Sequence, residues 1–184
     1  MKSLWRSVHQ AAYLRHVAAS SLPVILGPWR SELGFETMYW LPWLSRWVAK
    51  YQVNPDRLFV LSRGGAAQLY NVAPLHIVEL YDHVSVEDVR QAALADFVKH
   101  KTLKQYSTRA WEDPLLRLVA AQLGLRRYHV LHPSWMYTDL EPWWDGRWGL
   151  QQLLSRITFT NLAVPAVPLT LALPPKYVAV KFYE

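Results

Sequence analysis

The chain has 184 residues, 52% of them apolar and 18% charged, a composition that excludes general disorder and suits a folded core of about one domain. Its 20 Lys and Arg against 14 Asp and Glu leave a net charge of +6, which permits phosphate, nucleotide or lipid head-group partners and selects none. There is no cysteine, so disulfides, thiolate zinc sites, iron–sulfur clusters and cysteine nucleophiles are excluded, and ten Trp with ten Tyr are the unusual feature.

The first 21 residues carry Lys2, Arg6 and Arg15 but no uninterrupted apolar segment of the kind a secretory signal needs. Leu4, Val8, Ala11, Ala12 and Ala18 fall near one helical face. That face either packs on the domain or rests on an anionic membrane. Nowhere does the sequence reach the roughly 20 apolar residues that span a bilayer.

Leu22 to Leu26 (LPVIL) reads as a buried strand that ends in Gly27-Pro28. Glu36 to Tyr51 shows helical spacing, and Pro42 should kink that helix or mark its true first turn. Leu58 to Leu61 (LFVL) is a second strand, closed by Ser62-Arg63-Gly64-Gly65, and His76 to Tyr81 a third, short one. Ser85 to Lys101 is the clearest helix, capped by Ser85 and Asp88, with Val89, Ala92, Ala93, Leu94 and Phe97 expected on its buried face. Asp113 to Leu123 is another, with Asp113 as N-cap, Pro114 in the first helical position and Gly124 at the end. Tyr128 to Leu131 (YHVL) is a strand that runs into His132-Pro133, and Gly149 to Arg156 reads as helix. Strands alternating with helices predict an α/β fold, a Rossmann-like parallel sheet flanked by helices. The expected organisation is a domain over 1–160, a Pro-rich linker over 161–176, and YVAVKFY within 177–184 as the first strand of a second, missing domain.

Four segments carry residues suited to chemistry. In open α/β sheets, ligands bind outside the carboxyl ends of the strands. The loop from Gly27 to Glu36 (GPWRSELGFE) stands at such an end, and it is neither a dinucleotide fingerprint nor a Walker loop. Within it Gly27, Trp29, Arg30 and Gly34 are substrate-binding candidates. Glu32 and Glu36 are candidate proton acceptors, or else they stabilise a helix N-terminus. At the next strand end, Arg63 suits a carboxylate or phosphate and Gly64 and Gly65 permit close approach; a Gly-Gly turn with a solvated Arg explains them equally. After YHVL comes His132, a candidate general base, with Trp135 and Tyr137 as substrate contacts. A hydrogen-bonded loop histidine is the plain alternative. The fourth segment, Glu141 to Trp148, suits sugar stacking, a membrane interface or simple packing over the sheet. His9, His16, His76, His83, His100 and His129 show no metal-ligand spacing, so no metal site is expected. Ser134 lacks the context of a hydrolase nucleophile.

Together GPWRSELGFETMYWLPWL, LSRGGAAQLY, HPSWMY and LPPKYVAVKFY resemble a group of bacterial glycosyltransferase-like proteins with a GT-B architecture. The resemblance implies two Rossmann-like domains facing a cleft, with the acceptor bound by the N-terminal one and a nucleotide-sugar donor by the C-terminal one. It implies no metal or prosthetic group, the nucleotide sugar being a co-substrate. The partners are that donor, a glycan or glycolipid acceptor, and the missing C-terminal domain in cis. The implied location is cytoplasmic, with peripheral contact at the inner membrane. On this chain Glu32, Glu36 and His132 would be the base candidates and Arg63 a contact for acceptor or donor phosphate. The alternative is a non-catalytic module that binds glycan, anionic lipid or nucleic acid; no helix-turn-helix, RRM or zinc-finger pattern supports the nucleic-acid version.

Overall fold

The structure is a computed structural model that describes residues 2–70, 76–102, 104–161 and 176. The expected linker and the final YVAVKFY strand lie outside the described residues, Asn161 and Lys176 excepted.

Four parallel strands form one sheet in the order β3-β2-β1-β4: β1 (Val24–Leu26), β2 (Leu58–Ser62), β3 (His76–Glu79) and β4 (His129–Leu131). β1 is central and every residue of it is buried, as a parallel strand covered on both faces requires. Its side chains alternate between two cores. Val24 and Leu26 join Leu58, Val60 and Leu131 beneath α1 (Lys2–Ala19) and α3 (Leu41–Tyr51). Ile25 joins Leu61 and Val78 against α4 (Val86–His100) and α5 (Glu112–Gln122). The architecture is therefore a parallel sheet between two helical layers, and the Rossmann-like α/β expectation holds.

The long helix begins earlier than its apolar spacing suggests. A first turn, α2 (Leu33–Phe35), leads into a π-helical turn over Glu36–Trp40 and then into α3, without a break. The wide turn is defined by the Leu41 N–H, which donates to the Glu36 carbonyl five residues back. Pro42 is thus the second residue of α3 and follows the π turn directly. Pro42 therefore stands in the first turn of α3, one of the two roles expected of it, although the helical run as a whole begins earlier. Its own carbonyl accepts from Thr158 N at 2.8 Å.

Three other expectations are corrected. The buried face of α1 carries Gln10, Leu14 and Val17, whereas Ala12 is exposed. Arg57 fixes the end of this helix, since its guanidinium donates to the Val17 and Ala18 carbonyls and to Leu22 O. On α4 only Val89 is fully buried; Leu94 and Phe97 are exposed, because the helix rests on one narrow strip that also carries Asp96. The Ser85 cap is present, its hydroxyl accepting from Asp88 N. α5 starts at Glu112 rather than after Asp113, which moves Pro114 to the third helical position. The cause is the Glu112 carboxylate, which turns inward and accepts the Arg109 N–H at 2.6 Å. Gly124 ends α5 with a φ of 68°, and its N–H and that of Leu125 close on Ala121 and Ala120.

After β4 the chain forms α6 (Ser134–Asp139), α7 (Glu141–Trp144) and α8 (Leu150–Leu154). Trp143, Trp144 and Trp148 are partly buried against the core rather than fully displayed. Four tryptophans bury the ring and satisfy its N–H: Trp29 on Ser31 O, Trp40 on Tyr70, Trp43 on Asp139, Trp47 on Leu14 O. No helix among the described residues is long and apolar enough to cross a membrane.

Candidate functional site

β2 and β3 continue to one side of β1, and β4 returns on the other. The strand order therefore reverses at β1, and its carboxyl end borders the crevice where open sheets take ligands. The loop over residues 27–32 lies across this end. Gly27 N donates to Leu131 O at 3.1 Å and Trp29 N to Leu61 O at 3.0 Å, so the loop is laced to β4 and to β2. Gly27 has a φ of 122° and a cis bond to Pro28; a Cβ there would stand 2.4 Å from Leu61 O. Only glycine fits.

Two buried polar networks meet on this loop. The first surrounds Glu36, which is wholly buried at the start of the π turn. Its Oε1 accepts from Ser62 Oγ at 2.8 Å and from the Tyr70 hydroxyl at 2.7 Å. Trp40 Nε1 donates to the same hydroxyl at 3.0 Å. Oε2 has no hydrogen-bond partner and lies 4.0 Å from Arg63 Nη1. Burial pushes the Glu36 carboxyl above its ordinary value, against the opposing pull of Tyr70, Ser62 and Arg63. The Tyr70 hydroxyl is pushed far up, by burial first and then by Glu36. Arg63 also donates to Ser31 O, and with 22% of its side chain exposed it is the member of this network that reaches the surface.

The second network surrounds Glu112. Its Oε1 accepts from Arg30 Nε at 2.9 Å, and its Oε2 lies 3.3 Å from His132 Nε2. Arg30 also pairs with Asp96 at 3.2 Å, as does Arg109. Burial alone would raise the Glu112 carboxyl, but His132, Arg30 and the Arg109 amide hold it below its ordinary value. His132 Nδ1 accepts from Ser134 N at 3.1 Å, which assigns the ring proton of the neutral imidazole to Nε2, facing Glu112. Gln105 completes the fastening: it accepts from Arg30 N and donates to Pro28 O.

The candidate residues thus fall into distinct places. Glu36 and Arg63 are brought together; Arg30 and His132 meet through Glu112; Trp29 is fully buried and stacked on Trp40. Glu32 stands at the N-cap position with 70% of its side chain exposed, its Oε2 3.9 Å from Lys104 Nζ. It shares no buried network with Glu36. Gly34 lies in the first helical turn with open space around it. Gly64 and Gly65 both take positive φ and donate their N–H groups to the Glu79 carboxylate at 2.9 and 3.1 Å. Trp135 stacks on Tyr13 at 4.6 Å, and Tyr137 is buried. Tyr70, Glu112 and Gln105 were not among the expected site residues, because each acts on a partner at least 20 residues away; Ser62 was marked only as part of the turn that closes β2. Among the described residues no group of three His, Asp or Glu side chains is placed to hold a metal ion. No protein family, curated protein or solved structure matches this chain.

Proposed function

We propose that this chain is the acceptor-side domain of a GT-B-type glycosyltransferase, with Glu36 as the base. What supports the reading is a buried carboxyl of raised pKa at the carboxyl edge of the sheet, one oxygen held by two hydroxyls and the other unpaired beside Arg63. A raised pKa makes a stronger base, and a position fixed through Oε1 leaves Oε2 to receive the proton. In the transfer step an acceptor hydroxyl gives its proton to Oε2. Its oxygen forms a bond to the anomeric carbon of the donor, and the bond from that carbon to the nucleoside diphosphate breaks. Arg63 moves aside to admit the hydroxyl and pairs with phosphate during transfer. His132 is the weaker candidate, since both ring nitrogens are engaged within the protein.

The test uses the protein encoded by the whole native reading frame, with release of nucleoside diphosphate from UDP-, GDP- and dTDP-sugars as the signal. Glu36→Gln should slow transfer by about 10²–10⁴-fold. Arg63→Ala should slow it as well, while both variants stay folded. Turnover at the wild-type rate by both removes the assignment.

A further inference from the structure

α4 turns most of its circumference to solvent, and its outer side is patterned. Two residues fix the inner side: Val89 lies in the core, and Asp96 pairs with Arg30 and Arg109. At about 100° per residue, the opposite side has Leu94 at its centre. Phe97 and Val98 lie beside Leu94 toward the C-terminus, and Arg90 and Gln91 lie beside it toward the N-terminus. Glu87 and Lys101 stand at the two ends, each about two turns from Leu94. All of these side chains are exposed. Arg90 and Gln91 donate to the Glu87 carboxylate and so hold it on this side.

Leu94, Phe97 and Val98 are thus an exposed apolar strip on a face that is acidic at its N-terminal end and basic at its C-terminal end. Such a pattern is complementary to its own reverse. A two-fold axis at Leu94 sets two copies of α4 antiparallel. Leu94 then meets Leu94 of the second copy, Gln91 meets Phe97, Arg90 lays its aliphatic stem on Val98, and Glu87 meets Lys101. The symmetry makes every contact off the axis twice, so opposite charges face each other at both ends. A parallel pair would set Glu87 against Glu87 and Lys101 against Lys101, which is unfavourable. An anionic lipid surface would attract one end of the face and repel the other.

The geometry points to this face of α4 as an interface between two copies of the chain, paired antiparallel about a two-fold axis at Leu94. Burying Leu94, Phe97 and Val98 drives the association, and the Glu87–Lys101 pairs select its direction. The helix has 15 residues and is about 22 Å long, so the contact is smaller than the standard interface of about 1,600 Å². The association is accordingly weak, with a dissociation constant in the micromolar range. The face carries none of the residues given a part in transfer, so pairing is independent of the transferase reading.

Sedimentation velocity of the full 184-residue chain at low salt should show a reversible monomer–dimer equilibrium across the micromolar range. Leu94→Glu sets two like charges together on the axis and should leave monomer only. Leu94 is exposed, so this variant keeps its fold, which circular dichroism checks. Glu87→Lys and Lys101→Glu should each weaken the dimer by about fivefold, because each breaks two symmetric pairs, and the two together should restore it. The chain has no cysteine, so Leu94→Cys reads the axis directly. Oxidation by diamide should join two copies of that variant through one disulfide. Leu150→Cys, equally exposed but on α8 at the other face of the sheet, should stay unjoined. A monomer at every concentration, a dimer that survives Leu94→Glu, or equal crosslinking at both positions overturns the inference. So do charge exchanges without effect, or a double exchange that fails to restore the dimer.

Discussion

Glu112→Gln tests whether the second network holds the loop in place. The carboxylate accepts from Arg30 Nε at 2.9 Å and from Arg109 N at 2.6 Å, and it faces His132 at 3.3 Å. An amide of the same shape keeps one acceptor and turns two donors on groups that are themselves donors. Arg30 is 3% exposed, so its charge is left inside the protein with Asp96 as its remaining partner. Removing one member of a buried ion pair costs about 3–5 kcal/mol, and because Asp96 still holds Arg30 at 3.2 Å the lower end, about 3 kcal/mol, applies. With a urea dependence of about 2 kcal/mol/M for a domain of this size, the unfolding midpoint should fall by about 1.5 M. Urea titration at pH 7, followed by tryptophan fluorescence and by far-UV circular dichroism, measures it. The Glu112 carboxyl is held below 4.5 in the folded state. Its contribution is therefore present in full above that pH and is lost as pH falls through the folded value. The difference between wild type and variant should shrink in the same direction. Adding Arg30→Met should recover part of the loss, because no unpaired charge is then left inside. A loss below about 1 kcal/mol at pH 7, the size of a surface pair, would refute the argument.

Further outcomes are expected elsewhere. Glu36 binds its proton more tightly in the folded chain than in the unfolded one, so its contribution is full below 4.5 and is lost as pH rises through its raised folded value. Glu36→Gln should remove that slope and leave stability at pH 7 equal to or above wild type, even as transfer is lost; thermal melts between pH 4 and 8 decide it. Gly27→Ala should cost about 3 kcal/mol, because φ is positive and the new methyl meets the Leu61 carbonyl. Gly34→Ala, with open space in a helical turn, should gain about 0.5–1 kcal/mol, and chemical denaturation of the pair checks both. Arg57→Lys should lose about 1.5–3 kcal/mol, since an ammonium cannot reproduce the fork to Val17, Ala18 and Leu22; faster amide exchange in the last turn of α1 would accompany it.

Much of the sheet was legible because its strands are short apolar runs ended by glycine, proline or polar turns: LPVIL, LFVL and YHVL all lie in it. Their order could not be read, since it depends on which crossover packs on which face. Helix limits were legible where capping is local, as at Ser85 and Gly124. The start of α5 was misread, because the Glu112 side chain turns inward to accept the Arg109 N–H and to meet Arg30 across 82 residues. The sequence marked Glu32 and Glu36 alike. The three-dimensional frame separates them, because the helix starts at Leu33 and leaves one in solvent while it carries the other into the protein. The face of α4 was misjudged for a related reason: a helix with apolar residues around most of its circumference does not reveal which strip it buries.

The π-helical turn has a consequence for how this chain tolerates change in length. Each residue of a regular α-helix advances the face by about 100°. The wider turn holds one residue more than an α turn, and that residue sets the angular phase between Glu36 at one end and the core-facing Leu44 and Trp47 at the other. Deleting a single residue from 36–40 would give a more regular helix and could leave α3 seated. It would also rotate the segment ahead of it by about 100° and swing the position of Glu36 away from Ser62 and Tyr70. The spacing in ETMYW is in this sense a phase shifter: one residue of slack couples the rigid part of the helix to the aim of a single carboxylate.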